Sequence, residues 1–173
     1  MENIDKDFEK AAEIYGLLSE CLYDFAAYKA LHDRFNNSIY IAQPRAFWRC
    51  VSDNCLMMGF THWCKVFGSA YNNKTHYSKI SNINNFSKAL KEENVQFEKC
   101  VSELKAFRDK YISHNDEDIP QVPYISDAIK IIDHYDKTVL SVILKGTAYL
   151  IDVYQNSIEI FSEYLDKLGI NNI

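Results

Sequence analysis

Turn-forming residues are scarce in this chain: its 173 residues include five glycines and three prolines. Few turns are signalled, so long helices are favoured over many short strands joined by hairpins. Nothing alternates between apolar and polar at period two for long, and neither an internal repeat nor a low-complexity segment is present. The glycines stand alone, with no Gly-rich phosphate loop, and Walker-type nucleotide hydrolysis is disfavoured. No serine sits in a nucleophile elbow. The five cysteines are odd in number and include no CxxC pair. That disfavours a thiolate metal site and points to free thiols in a reducing cytoplasm. An excess of positive charge is also lacking: the formal charge is −5, so any contact with RNA would go through a local basic patch. The longest apolar stretch, from Val139 to Val153, is interrupted by Lys145 and Asp152 and is too short to span a bilayer. The opening Met1-Glu2-Asn3-Ile4-Asp5 is acidic and polar, unlike a secretory signal. A cytoplasmic protein without membrane contact is expected.

Core-forming residues are abundant, with 47% hydrophobic and 14% aromatic. The length and composition fit a single domain over residues 1–173. Phe8, Ala11, Tyr15, Leu18, Leu22 and Phe25 recur at spacings of three and four and predict a first helix over residues 5–35. Pro44 reads as a first-turn proline of a second helix that Gly68 stops. Its predicted stripe is Trp48, Val51, Cys55, Met58, His62 and Val66. Residues 71–85 are the most polar run and read as a loop. A third helix is expected from Ser87 to the Asn115-Asp116-Glu117-Asp118 run, burying Phe97, Cys100, Val101, Leu104, Phe107 and Tyr111. Pro120 and Pro123 forbid its continuation. A fourth opens at Tyr124 or Ser126, with Ile129, Ile132, Tyr135, Val139, Val142 and Ile143 inward. Gly146 either kinks it or separates a last helix reaching about residue 168. The fold class expected is all-α, an up-and-down bundle of four to five helices.

The chemistry-bearing residues concentrate in Arg108-Asp109-Lys110-Tyr111-Ile112-Ser113-His114 at the end of the third helix. On a regular helix Arg108 and His114 project roughly 120° apart, too far to meet on one phosphate unless the helix end unwinds. A two-fold dimer with this end at its interface would gather both copies around one cleft. Other histidines have bland readings. His62 with Cys55 and Cys64 is far better explained by packing than by a metal. His76 reads as a solvated loop residue, and Asp133 and His134 as surface groups.

An Arg, then Asp, Asn or His, then a His four to six residues on, near the end of the third helix of a four-helix bundle, is the signature of the HEPN superfamily. Arg108, Asp109 and His114 resemble it. The wider set resembles the abortive-infection U-type group of that superfamily. It comprises Trp63-Cys64-Lys65-Val66-Phe67-Gly68, His76-Tyr77, Phe107-Arg108-Asp109-Lys110, Ser113-His114 and Val122-Pro123, and it spans roughly residues 44–144. The resemblance implies a HEPN-like bundle, a homodimer with a composite site, and metal-independent RNase activity without a cofactor. Members with that activity are often toxins or phage-defence effectors, and an antitoxin partner would then be expected. One toxin branch carries a tyrosine two residues after the histidine; here that position is Asp116, and regulation by nucleotidyl transfer onto it is not supported.

The residues suit the implied chemistry. Cleavage through the 2′-hydroxyl needs a base, an acid and positive charge on the phosphorane. The imidazole of His114 supplies proton transfer near neutral pH, and the guanidinium of Arg108 pairs with phosphoryl oxygens. Asp109 would orient either partner. Lys105 and Lys110 would bind the RNA backbone, opposed by Asp116, Glu117 and Asp118. The alternatives are a non-catalytic HEPN-like module that binds RNA, a nucleotide or a partner protein, or a plain structural bundle. In these, His114 caps a helix end and Arg108 and Asp109 are ordinary surface charges.

Overall fold

The computed structural model describes residues 2–35, 43–80, 83–112 and 122–170. Among them all regular structure is helical, as the scarcity of turn residues and the helical periodicity predict. The elements are α1 (Glu2–Phe35), α2 (Gln43–Phe67), α3 (Ile83–Glu92), α4 (Phe97–Phe107), α5 (Ile125–Tyr135), a three-residue α6 (Ser141–Ile143) and α7 (Leu150–Lys167). A short 3-10 turn spans Tyr77–Lys79, and π-helical turns follow α4 (Arg108–Ile112) and α5 (Asp136–Leu140). α1 packs along both α2 and α7, while α5 touches α1, α3, α4 and α7.

The core follows from the apolar spacing. Ala11, Ile14, Leu18, Leu22 and Phe25 of α1 are fully buried. Phe67 lies at the centre of an aromatic cluster, with ring centroids 4.8 Å from Trp63, 5.7 Å from Tyr77, 6.2 Å from Phe86 and 5.5 Å from Tyr135. α1 and α2 pack closely at Gly59, where an added Cβ would lie 2.5 Å from the Phe25 ring.

Three expectations are corrected. The predicted third helix is two. α3 starts inside the supposed loop, and the chain turns at Glu93–Gln96, where Asn94 adopts φ +53°. Asn tolerates this left-handed conformation, which most side chains do not. The inward face of α2 is wider than the predicted stripe: His62 and Val66 are buried as expected and Met58 is exposed, while Leu56, Phe60, Trp63 and Phe67 also fill the core. Aromatics all round this helix blurred the period. Phe8 and Val142 are also about half exposed. Gly146, at φ +89°, sits in a turn that separates α7 from the preceding helix.

Candidate functional site

Phe107, the last residue of α4, is buried, and its ring meets Phe60 at 5.4 Å; Phe60 meets Phe25 at 5.3 Å. This chain of rings fixes the helix end from which Arg108 projects. The backbone N–H of Arg108 still bonds to Leu104 and Lys105. From Arg108 the winding changes to π, with i→i+5 bonding, a rare geometry found often at functional positions. The regular 100° step assumed from sequence therefore does not run through the motif.

Arg108 and Asp109 form a close pair. Nε and Nη2 of Arg108 donate to Asp109 Oδ1 at 2.8 and 2.6 Å. The Arg108 side chain is 30% exposed and that of Asp109 54%, so the pair contributes only about 0–1 kcal/mol to stability. Its effect is to orient the guanidinium. Two of the five guanidinium N–H groups are committed here, and among the described residues the Arg108 side chain makes no other hydrogen bond.

Lys105 lies half-buried and Lys110 exposed on the same stretch. Arg108 and Lys105 draw down the titration of buried Cys64 and Asp109 opposes them, which places all three charges around the end of α2. Burial outweighs them and pushes the Cys64 thiol up to about 11. The structure thus brings together Lys105, Arg108 and Asp109. His114 lies outside the described residues, as do Ser113 and the acidic run 116–118.

The remaining histidines are more engaged than sequence suggested. His62 is buried between two carboxylates of α1, Nδ1 at 3.1 Å from Asp24 and Nε2 at 3.6 Å from Glu20. Burial raises the Asp24 carboxyl above its ordinary range, and the facing His62 ring pulls it back in part. His76 is buried, not solvated: its Nδ1 lies 2.8 Å from Ser78 Oγ and accepts from the Ser78 N–H, capping the 3-10 turn. His134 is also buried, with Nε2 3.2 Å from Glu93. Among the described residues no group of three or more His, Cys, Asp or Glu side chains is placed to hold a metal ion.

Sequence reading missed Asp136. It is buried in the second π turn, where one carboxylate oxygen accepts the Leu150 N–H at 2.7 Å and so caps α7. Among the described residues its Oδ1 has no hydrogen-bond partner. Burial raises its pKa, the Leu150 N–H lowers it, and Asp133 and Asp152 raise it further. No local signal separates such an aspartate from the exposed ones around it.

Comparison of the chain with protein-family models, with curated proteins and with solved structures finds no match.

Proposed function

We propose that this protein is a HEPN-like, metal-independent endoribonuclease that works as a homodimer, with Arg108, Asp109 and His114 of both chains around one cleft. The observation that supports this reading is Arg108 at the head of a π turn, anchored by Phe107 in the core and oriented by Asp109. A guanidinium held in this way loses little freedom when it takes up a phosphate. In the proposed mechanism Arg108 neutralises the phosphoryl oxygens as the 2′-oxygen attacks and the 5′-oxygen leaves. His114 of one chain takes the 2′-hydroxyl proton, and His114 of the other protonates the departing 5′-oxygen. Lys105 and Lys110 hold the flanking backbone. A toxin or phage-defence role, with an antitoxin partner, belongs to the same reading.

A second reading is favoured by one specific observation. The carboxylate of Asp109 already occupies one edge of the guanidinium, as in a resting structural pair. In that case the chain is a non-catalytic helical module that binds RNA, a nucleotide or a partner protein. RNA cleavage in EDTA decides between the two. Wild type is expected to cut, and His114→Ala and Arg108→Ala to lose about 10²-fold or more. Wild type inert against varied RNAs, or variants that cut equally well, would remove the ribonuclease reading.

A further inference from the structure

We infer that the groove between α1, α5 and α7 is a binding site for a guanine-type nucleotide base. The groove has a volume of about 510 Å³, within the roughly 300–1,000 Å³ in which proteins take small organic ligands. Arg108, Asp109, Lys105 and Lys110 do not line it, so it stands apart from the proposed cleavage site. It goes beyond the ribonuclease reading and does not depend on it.

The lining matches a flat, hydrogen-bonding ring. Tyr28 of α1 and Tyr154 of α7 contribute aromatic rings to the lining, and Ile125 and Ile129 of α5 contribute apolar side chains. His32 adds a third ring, its centroid 5.2 Å from that of Tyr28. Single-stranded bases are held on such aromatic faces and read along their Watson–Crick edges. Tyr28 and Tyr154 are each partly buried, and among the described residues neither hydroxyl makes a hydrogen bond. Burial pushes both phenols up, and Asp33 adds to each shift, so the Asp33 carboxylate lies within electrostatic reach of both rings.

Asp33 supplies the discrimination. Its Oδ2 is held by Lys29 at 2.8 Å, while its Oδ1 has His32 only at 3.8 Å, beyond hydrogen-bonding range. A carboxylate pairs best with two adjacent donors, one to each oxygen, and the single Lys29 contact leaves lone pairs on both oxygens for them. Guanine presents them, as N1–H and the N2 amino group. The other three bases place an acceptor beside the donor on that edge and would meet Asp33 with a repulsion. Lys29, already beside Asp33, offers its charge to a phosphate attached to the base.

The test is titration of ¹⁵N-labelled protein with GMP, AMP, CMP, UMP and inorganic phosphate, followed by amide shifts. GMP is expected to move signals of residues 28–33, 125–129 and 154 at lower concentration than the other nucleotides. Tyr154→Ala is expected to weaken GMP binding by about tenfold or more. Asp33→Asn is expected to erase the preference for GMP over AMP. If Tyr154→Ala does not fold, Asp33→Asn decides, since that side chain is 58% exposed. Arg108→Ala is expected to bind GMP as wild type does, whether or not either protein cleaves RNA. No shifts at these residues, equal shifts with all four nucleotides or with phosphate alone, or an Asp33→Asn variant that still prefers GMP would each overturn the assignment.

Discussion

Cys64 and Cys100 are thiols that their surroundings keep protonated. Burial lifts them to about 11 and about 12, respectively, so neither offers a thiolate at neutral pH. Cys50 is exposed. Iodoacetamide treatment of the native protein, read by peptide mass, is expected to label Cys50 first. Cys64 and Cys100 should be labelled only after unfolding, and rapid labelling of either in the native state would contradict the burial described. His76 carries a pH dependence. Burial holds its ring below the ordinary histidine value, so in the window just under about 6.5 the unfolded chain binds more protons than the folded one. Its contribution is fully present above that value and is lost as pH falls through the folded pKa. The urea midpoint is therefore expected to drop on acidification below about pH 6.5, and to drop less in His76→Gln. Sequence placed His76 in a polar run and took it for solvated. Its burial depends on a 3-10 turn that docks Tyr77 on Phe67, a tertiary contact with no local pattern.

The two π turns distinguish α4 and α5 from the regular helices the periodicity predicted. Apolar spacing reports which face is inward, and Ile132, Tyr135 and Val139 are buried as read. It does not report a change of winding, because one widened turn moves the face by less than the width of the apolar stripe. The break between α3 and α4 escaped for a related reason: the turn Glu93-Asn94-Val95-Gln96 contains no Gly or Pro. Asp136 shows what a π turn can do, since it reaches out of α5 to cap α7. Replacing it with alanine leaves the Leu150 N–H unmet and is expected to cost about 1–2 kcal/mol in urea unfolding. Asp136→Asn keeps an acceptor and removes a buried charge, so its loss should be the smaller of the two. An alanine variant as stable as wild type would mean that the cap is not a determinant of α7 docking.

As a whole molecule, the helical class was legible because the scarcity of turn residues and the periodicity of most segments agree. The candidate site was legible only in part. Arg108, Asp109 and the buried Phe107 before them could be named from the sequence, but the π winding and the docking of Phe107 on Phe60 are products of packing. The groove at Tyr28 and Tyr154 joins residues far apart in the chain, and only Lys29–Asp33 left a trace, as an i,i+4 pair. The proposed composite site makes a prediction at this scale. Light scattering should give about twice the 20.1 kDa chain mass, and specific activity should fall on dilution as dimers part. A monomer with undiminished cleavage would rule out the shared cleft.

Arg34, near the end of α1, donates to the carbonyls of Ser162 and Ile170 at 2.7 and 2.9 Å and meets Asp166 at 2.7 Å. The first helix is thus fastened to the last. On the ribosome α1 emerges before α7, and one of its apolar sides stays uncovered until α7 follows, a wait of many seconds at about 5–20 residues per second. The nascent chain cannot complete its core early, whatever helices have formed. Closure of this core is timed by synthesis of α7, and until then the chain offers chaperones an open apolar flank.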